Sequence, residues 1–430
     1  MTEQATSQAI RKEIIRAEKV IPGGVSSPLR ACRNVNSQAL VIDKAIGECL
    51  YDVNGRVYHD FMYGFGPMIL GHNHPAIVNA ITERVQTGSL FGTVTPDETQ
   101  LAEMITGTAN FLEQIRFVCS GTEAVMSAIR LARAYTGKTK IIRFRGGYHG
   151  HFDLVQSKSE KDYKSAGLDP EAMKANIMAV FNDLDSVRSA VAAFEGEIAA
   201  IILEPLPCNM SLVDPAISFL KGLREICDET GILLIFDEVI SGFRLTYGPV
   251  SNLLGVEPDL VTFGKIIGGG TPVGAFGGRM DIMHLLDKEQ ILQGGTFAGN
   301  PLTMRAGIAT LTVLSEPDFY EMLNKKGRYL EEQIALNQKK FGTDFIFARR
   351  GSIFAFIFHP KGTLIANHED VHLQARHIFT GLYVDMRNQG YHLCPDVEET
   401  MYVSAATQET TLSAFAEAAC KSIAHWSCLS

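Results

Sequence analysis

The sequence predicts an α/β fold with a large domain, whose mainly parallel sheet is covered by helices, and a smaller α+β domain assembled from the N- and C-terminal segments. Between about residues 97 and 310, near-continuous apolar runs alternate with helical stretches, which is typical of parallel strands buried on both faces. Residues 39–63 instead alternate short strands with turns. The length of 430 residues also exceeds what one hydrophobic core usually supports. We therefore predict an N-terminal segment 1–65 that belongs to the smaller domain, a large domain 66–310 and a C-terminal small domain 311–430.

The order of elements follows from hydrophobic periodicity and turn residues. Residues 8–20 form an amphipathic pattern that predicts a helix, and Pro22-Gly23-Gly24 ends it. In the C-terminal domain, residues 353–358 and 401–404 read as short strands before a last helix. The predicted strands of the large domain are 115–119, 141–144, 177–181, 198–203, 233–236, 260–263 and 275–277. Because the carboxyl ends of parallel strands meet at one edge of a sheet, we expect catalytic residues there.

Composition and charge exclude several classes of protein. The chain is 46% hydrophobic and 20% charged, and its net charge of −9 disfavours a nucleic-acid or anionic-membrane partner. No apolar run reaches the length of a membrane span, and Met1-Thr2-Glu3-Gln4 carries no secretory leader. Eight scattered cysteines without a C-x-x-C pair favour reduced thiols over disulfides or a zinc site. We therefore predict a cytoplasmic protein with no metal centre.

Lys265 is the most informative residue of the chain. It lies in a glycine-rich turn, residues 263–270, and an apolar strand that ends in Asp237 precedes it. A lysine on a loop and a carboxylate at a strand end are the two groups that a pyridoxal phosphate (PLP) site requires. The lysine would form the Schiff base, and the acid would keep the pyridinium nitrogen protonated. The protonated ring then withdraws electrons from the substrate carbon that carries nitrogen.

A small turn after the first large-domain strand is a candidate phosphate site. Ser120, Gly121 and Thr122 open a helix, where backbone N–H groups and the helix dipole favour an anion. The two hydroxyls add donors. The alternative is an ordinary helix cap, in which a serine or threonine is followed by Glu123.

The turn after the next strand carries an aromatic residue and two histidines. Tyr148 is a candidate to stack on the cofactor ring, and His149 is a candidate to hold it. The alternative is a glycine turn with two solvated histidines. A metal site made of His72, His74, His149 and His151 is disfavoured, because they lack the spacing of a metal motif.

Three further residues are candidates for cofactor binding. Glu204 ends a strand, and Asn209 shortly after it is a candidate partner for the ring hydroxyl. The alternative for Glu204 is a structural role. Thr296 lies in a glycine-rich turn and is a candidate phosphate donor, although that segment taken alone reads as a turn.

Taken in order, these motifs resemble the class-III, fold type I, PLP-dependent aminotransferases, and within that family the glutamate-1-semialdehyde aminomutase group. Three further stretches carry the resemblance, which extends over nearly the whole chain: residues 21–30, 66–75 and 264–278. The resemblance implies a fold type I PLP-dependent transferase. It also implies a homodimer with active sites at the subunit interface, where Thr296 would reach the phosphate bound by the partner subunit.

The resemblance also assigns roles to single residues. It implies that Lys265 forms the Schiff base and that Tyr148 stacks on the ring. The positions that it matches to cofactor binding are Ser120, Gly121, Thr122, Tyr148, His149, Glu204, Asn209, Asp237, Val239, Lys265 and Thr296. Arg30, with Ser27 beside it, matches the group that binds the substrate carboxylate, a role that suits a guanidinium. Glu399 matches an acid near the cofactor. Without the resemblance, Arg30 reads as a surface charge and Glu399 as a solvated acid.

The chain departs from the aminomutase pattern where that pattern shapes the substrate. Residues 152–167 are charged and lack the small residues of the family's gating loop. Phe65 stands where tryptophan is usual, Cys119 where asparagine is usual, and Thr407 where histidine is usual. A lid that retains an intermediate decides whether it reacts again or leaves.

The sequence therefore favours an aminotransferase that moves an amino group between two molecules, one of them a small carboxylate-bearing amino or keto substrate. The alternative is transfer within one molecule, as in an aminomutase that makes 5-aminolevulinate, which Ser27, Arg30 and Glu399 support. A third interpretation is a non-catalytic binding module with the same fold. A nicotinamide enzyme is disfavoured, because no G-x-G-x-x-G follows the first strand of the α/β region.

Overall fold

The structure is a computed structural model that describes residues 3–156, 167–287 and 291–428. Contacts between Cα atoms divide the chain into two compact units. The small unit comprises residues Met1–His74, Glu321–Thr363 and Leu373–Ser430, and the large unit comprises Pro75–Tyr320 and Leu364–His372. The domain limits predicted at residues 66 and 311 stay a prediction.

The strands of the described residues follow one another along the chain. They are β1 (Ile42–Ile46), β2 (Cys49–Asp52), β3 (Val57–Asp60), β4 (Gln114–Val118), β5 (Lys140–Phe144), β6 (Asn176–Ala179), β7 (Ile198–Leu203), β8 (Leu233–Asp237), β9 (Leu260–Gly264), β10 (Gly274–Gly278), β11 (Ile346–Arg350), β12 (Ile353–Ile357), β13 (Tyr391–His392) and β14 (Met401–Tyr402). Every strand that the sequence predicted in the large domain overlaps one of them, β4 to β10.

The α-helices of the described residues surround these strands. They are α1 (Glu3–Glu18), α2 (Pro75–Thr87), α3 (Pro96–Thr106), α4 (Gly121–Thr136), α5 (Pro170–Lys174), α6 (Leu184–Ala193), α7 (Ile217–Thr230), α8 (Ser251–Leu254), α9 (Met280–Asp287), α10 (Pro301–Leu314), α11 (Phe319–Phe341), α12 (His368–His372), α13 (Arg376–Asn388) and α14 (Glu409–Ser427). None of them is both long enough and apolar enough to cross a membrane.

The large unit contains a seven-stranded sheet in the order β4-β10-β9-β8-β7-β5-β6. Strands β6, β5, β7, β8 and β9 pair in parallel, and only β10 runs antiparallel to its two neighbours in the sheet. Every residue of β7 and β8 is buried, as expected for strands that helices cover on both faces. The predicted mainly parallel sheet is confirmed.

Helix α4 shows how the sequence fixes an element beside the sheet. Ser120 caps its N-terminus, and Gly137 ends it in the left-handed conformation, with φ of 69°. Its buried face, which includes Ala124, Ala128 and Leu131, consists mostly of small and apolar residues that pack with the strands. The helix therefore begins where β4 has just ended, which fixes the position of the Ser120 turn.

Close backbone contact between strand β10 and the Ser120 turn requires a glycine. A Cβ atom at Gly274 would lie 2.1 Å from the carbonyl oxygen of Ser120, which no side chain tolerates without movement of the backbone. Gly274 lies opposite both Val118 and Gly264 in the sheet, so it lies between the ends of β4 and β9. The glycine therefore allows the Ser120 turn to lie close to the central strands.

The small unit is α+β, as predicted. Its strands form one sheet in the order β1-β2-β3-β13 and a second in the order β11-β12-β14. The core of this unit is rich in aromatic rings, and Phe61 and Phe415 stack with ring centroids 4.0 Å apart. Helices α13 and α14 contribute apolar faces to this core.

Glu238 is a fully buried acid that holds a loop of the large unit. Its carboxylate accepts hydrogen bonds from the backbone nitrogens of Val250 and Ser251, at 2.5 and 3.1 Å, and from the hydroxyl of Ser241 at 3.3 Å. Burial raises the pKa of Glu238 from 4.5 to about 7, and the hydrogen bonds oppose that shift without cancelling it.

This raised pKa predicts a pH dependence of stability. Between pH 4.5 and about 7 the folded chain holds a proton on Glu238 that the unfolded chain has released. The free energy of unfolding therefore falls as pH rises through this interval, by an amount on the order of 3 kcal/mol in total. We expect Glu238→Gln to flatten the dependence, whatever its overall stability, because glutamine does not titrate.

Chemical denaturation at several pH values measures this effect. Glu257→Gln is the matched control, because Glu257 is an exposed acid of the same unit. A Glu238→Gln variant that loses stability between pH 5 and 8 as steeply as the control would contradict the assignment.

Candidate active site

The motifs that the sequence predicted for one edge of the sheet do meet there. The strands β5, β7, β8 and β9 are parallel neighbours, so their carboxyl ends lie on the same side. The end of β4 joins them, because Gly274 of β10 lies opposite both Val118 and Gly264. The turns that follow these strands carry the candidate cofactor residues.

Asp237, the last residue of β8, is the buried acid at the centre of this edge. It is 4% exposed, and its Oδ2 atom accepts a hydrogen bond from Nδ1 of His149 at 2.7 Å. Its Oδ1 atom accepts from the hydroxyl of Thr262 at 3.0 Å and from the backbone nitrogen of Val239 at 3.2 Å. Three donors from three segments therefore fix the orientation of this carboxylate, and a charge-assisted hydrogen bond is the strong kind.

Glu204, at the end of β7, is a second buried acid with a different task. Its Oε1 atom accepts from the backbone nitrogen of Tyr148 at 3.0 Å. Its Oε2 atom accepts from the backbone nitrogen of Cys208 at 3.0 Å and from the side-chain amide of Asn209 at 3.0 Å. Burial raises the pKa of the Glu204 carboxyl. The interaction with His149 lowers this pKa in part, and the negative charge of Asp237 raises it further. The acid thus ties the turn after β5 to the turn that follows β7.

The turn at the start of α4 presents the first backbone N–H groups of a helix. The Ser120 hydroxyl accepts from the backbone nitrogen of Glu123 at 3.2 Å, and the Glu123 carboxylate accepts from the backbone nitrogen of Cys119 at 2.7 Å. Thr122 lies 3.2 Å from Nδ1 of His151, measured from its hydroxyl. The cap predicted as the alternative for Ser120 is therefore present. This cap uses the N–H of Glu123, while the N–H groups of the two residues before it have no acceptor within a helix, which suits an anion.

Lys265 follows β9 directly and begins a short 3₁₀ turn in an unusual conformation. Its φ of 50° is in the left-handed region, which costs a non-glycine residue on the order of 1 kcal/mol or more. The preceding Gly264 leaves little room, since a Cβ atom there would lie 3.2 Å from Val239. A Cβ at Gly121 would lie 3.0 Å from the same side chain. Val239 therefore packs against both the lysine turn and the start of α4.

These residues fit PLP on observations of this chain. The Nε2 atom of His149 is buried and has no hydrogen-bond partner within the described residues. Because the other nitrogen of the same ring bonds to Asp237, Nε2 can bind a polar group of a ligand beside that carboxylate. A buried carboxylate suits a protonated ring nitrogen, and the N-terminus of α4 suits a phosphate. Lys265 supplies the amine from the same edge of the sheet.

The structure places the remaining predicted residues as follows. Tyr148 is 45% exposed in the turn after β5, and Thr296 is exposed in the loop that precedes α10. Asn209 donates to Glu204 from its side chain and its backbone, which is a structural role, and its contact with the ring hydroxyl stays a prediction. The substrate candidates Ser27, Arg30 and Glu399 belong to the small unit.

In the small unit, the three substrate candidates differ in exposure. Arg30 is exposed within a short 3₁₀ turn that Pro28 begins, and Ser27 precedes that turn. Glu399 is 9% exposed, so the alternative of a solvated acid does not describe it. Of the charged segment 152–167, residues 157–166 lie outside the described residues.

Sequence reasoning missed Thr262 and its contact with Asp237. The signal was present, because Thr262 is the one polar side chain of the buried strand β9. A hydroxyl inside such a strand needs a hydrogen-bond partner, and the neighbouring strand β8 supplies one. The alternation of side chains along β9 does not reveal which strand lies beside it, so the sequence does not identify the partner of Thr262.

The fold and the site define a fold type I PLP-dependent transferase. The family model of class-III aminotransferases matches residues 31–384, and the chain belongs to this family. Its cofactor is PLP and it acts on small amino and keto substrates. The predictions of an enzyme, of its cofactor and of its family are confirmed.

Individual relatives agree over nearly the full length of the chain. A glutamate-1-semialdehyde 2,1-aminomutase of Citrifermentans bemidjiense is 45% identical over 94% of this chain and 96% of that protein. One of Desulforapulum autotrophicum is 42% identical over 97% of this chain and 98% of that protein. The crystal structure of an omega-transaminase from Sphaerobacter thermophilus superimposes with a TM-score of 0.89, at 31% identity, over 96% of this chain and 97% of that one.

The hydrogen bond from Thr262 predicts a measurable effect on the cofactor. Thr262→Val keeps the shape of the side chain and removes one donor to Asp237, so the carboxylate is held less firmly. We expect the dissociation constant of PLP to rise roughly tenfold, the equivalent of one hydrogen bond to a charged group. Fluorescence or absorbance titration of the apoprotein measures it.

Thr310→Val is the matched control. Thr310 is equally buried, and its hydroxyl donates to the carbonyl of Ala306 at 2.8 Å inside helix α10. If both variants bind PLP alike, the Thr262 contact has no part in holding the cofactor.

Proposed function

We propose that this enzyme moves an amino group to or from a small carboxylate-bearing substrate, with Lys265 as the residue that holds the cofactor and moves the proton. The observation that supports this most is the buried Asp237 carboxylate, fixed by His149 and Thr262, at the same sheet edge as Lys265. Bound PLP withdraws electrons from the carbon that carries the substrate nitrogen.

Each residue of the edge has a task that follows from its contacts. Asp237 favours the proton on the ring nitrogen, because an opposite charge in a buried place interacts strongly. His149 donates to Asp237 and orients it, and the start of α4 holds the phosphate. The Lys265 amine would anchor the cofactor and would take up and return the proton at the substrate carbon that carries nitrogen. Tyr148, by its resemblance to the family's aromatic residue, would stack on the cofactor ring.

The carboxylate of the substrate is the expected partner of Arg30. A guanidinium binds a carboxylate with two parallel hydrogen bonds, and Ser27 precedes the same short turn. The burial of Glu399 supports a place for this acid inside the protein, and we assign it to the surroundings of the substrate.

We favour transfer between two molecules over transfer within one. Thr407, where the aminomutase group usually has histidine, is buried. Its hydroxyl lies 2.9 Å from that of Tyr63 and accepts from the backbone nitrogen of Ser404 at 3.0 Å. This hydroxyl therefore makes its hydrogen bonds inside the small unit, and unlike an imidazole it cannot serve as a base near neutral pH. The 31% identity to an omega-transaminase agrees with this choice.

The second candidate is aminomutase activity that yields 5-aminolevulinate. It is supported by the two relatives named glutamate-1-semialdehyde 2,1-aminomutase, at 45% and 42% identity. Ser27, Arg30 and Glu399, the positions matched to substrate binding, are all present.

A half-reaction distinguishes the two. The enzyme with PLP is mixed with one amine at a time: glutamate, alanine, a β-amino acid or 4,5-diaminovalerate. We expect a simple amino acid to convert the pyridoxal absorbance band to the pyridoxamine band, with release of one equivalent of its keto acid. Conversion by diaminovalerate alone, with 5-aminolevulinate formed from the semialdehyde without a second donor, would establish the aminomutase instead.

Lys265→Ala tests the assignment of the lysine in the same assay. We expect the rate to fall at least about 1,000-fold, within the range of general acid–base catalysis, while the protein still binds PLP. Lys221→Ala is the control, because Lys221 is an exposed lysine of α7. An unchanged rate in Lys265→Ala would refute the proposed mechanism.

We further propose that the enzyme is a homodimer. Two loops of the large unit expose large apolar side chains: Leu90, Phe91, Val94, Leu292 and Phe297 are between 40% and 86% exposed. The amide of Asn300 donates to the carbonyl of Ser89 at 3.1 Å, so the two loops are adjacent. An exposed apolar patch of this kind is typical of a protein interface. Thr296 lies in the second loop, in agreement with a role at the partner's phosphate.

Analytical ultracentrifugation tests the dimer. We expect the wild type to sediment at twice the mass of the chain and Leu292→Glu/Phe297→Glu to sediment as a monomer that loses PLP more readily, because charges at the patch oppose burial. Leu253→Glu, an exposed leucine of α8, should remain dimeric. A wild type that is monomeric at micromolar concentration would overturn this proposal.

We also propose that the enzyme works in the cytoplasm. All eight cysteines lie within the described residues and none is in a disulfide. Free thiols suit a reducing compartment.

A further inference from the structure

The small unit carries a second cluster of chemically reactive side chains. Cys49 begins β2, His59 lies in β3, and the two residues are directly opposite each other in the antiparallel pair. Residues opposite each other project from the same face of a sheet, with Cβ atoms about 5 Å apart. Glu48 precedes Cys49. A thiol, an imidazole and a carboxylate are therefore neighbours on this hairpin.

The three ligand atoms converge on one place. Nδ1 of His59 lies 3.3 Å from Oε1 of Glu48 and 3.9 Å from Sγ of Cys49, and all three atoms lie within 4.8 Å of one another. The bond lengths of tetrahedral zinc place a nitrogen and an oxygen ligand about 3.3 Å apart, and a sulfur and a nitrogen ligand about 3.6 Å apart. The observed distances match the first value and exceed the second by a few tenths of an ångström.

The geometry does not suit a cysteine nucleophile that is activated by histidine. In such a relay the base uses one ring nitrogen for the thiol and the other for the acid. Here both Glu48 and Cys49 approach the same atom, Nδ1 of His59. Several donor atoms that converge on one point are the arrangement of metal ligands.

Surrounding contacts orient the cluster before any ligand arrives. Oε2 of Glu48 accepts from the backbone nitrogen of Gln408 at 2.9 Å, and Oε1 accepts from the hydroxyl of Thr411 at 2.8 Å. Supporting hydrogen bonds of this kind orient ligands at metal sites. The side chain of His59 is 37% exposed and that of Glu48 is 12% exposed, so an ion can reach the site from solvent.

We propose that Glu48, Cys49 and His59 bind a thiophilic divalent cation of the zinc class, with water as the fourth ligand. Sulfur and imidazole select such an ion over magnesium or calcium. A thiol binds such an ion as the thiolate, so binding displaces the proton from the sulfur of Cys49. Because Glu48 also holds the residues that begin α14, the bound ion fastens the β2–β3 hairpin to that helix.

Cobalt(II) is the probe, because it absorbs visible light in tetrahedral sites and zinc does not. The enzyme with PLP is titrated with cobalt(II) chloride, and difference spectra against the metal-free enzyme remove the cofactor bands. We expect ligand-field bands with a thiolate-to-cobalt band, and their loss when zinc chloride is added. Cys49→Ser should remove the thiolate band and weaken zinc binding at least about tenfold. Cys428→Ser, at an exposed cysteine, should leave both unchanged.

Thermal unfolding gives an independent readout. We expect zinc to raise the unfolding temperature of the wild type and of Cys428→Ser with increasing concentration, as any ligand of the folded state does. The rise should be absent in His59→Gln, which keeps the proposal testable if Cys49→Ser does not fold. No cobalt spectrum in the wild type, or a thiolate band that persists in Cys49→Ser, would overturn the site. Transaminase activity plays no part in these readouts.

Discussion

The hydrogen bonds of the buried Asp237 carboxylate are the constraint on which the site depends. A buried charge is costly unless donors surround it, and His149, Thr262 and Val239 supply them from the turn after β5, from β9 and from the chain just beyond β8. These donors require three parallel strands to be in register at their carboxyl ends. The same register brings Lys265 and the start of α4 to that edge. The order and register of the strands therefore place both the donors to Asp237 and the groups predicted to react or to bind the cofactor.

Small residues make this arrangement possible. Gly274 allows β10 to lie against the Ser120 turn, and Gly121 and Gly264 pack against Val239 with little room for a side chain. Larger residues would separate the candidate phosphate turn from the lysine turn. The left-handed conformation of Lys265 is maintained in this setting, and strain of this kind is common at functional sites. The glycines allow the backbone segments to approach closely, whereas the left-handed φ belongs to Lys265.

How much of the site the sequence predicts depends on how local the signal is. Lys265, Asp237 and the Ser120 turn are adjacent to strand ends, and a strand end is visible in the sequence. Thr262 was missed, because its role depends on which strand lies beside β9. The sequence analysis also missed the Glu48–Cys49–His59 cluster for the same reason. A search for metal motifs along the chain looks for short spacings, whereas Cys49 and His59 meet only across a hairpin.

The sequence alone determined the class of fold and the cofactor, because hydrophobic periodicity and the motifs at strand ends are local properties, and the same motifs predict Lys265 as the reactive lysine. It also determined where the chain departs from the aminomutase pattern. The tertiary structure decided the partners of Asp237, the burial of Glu399 and the hydrogen bonds of Asn209 to Glu204. These features depend on contacts between residues far apart in the chain. Strand order and register set such contacts, and no single segment encodes them.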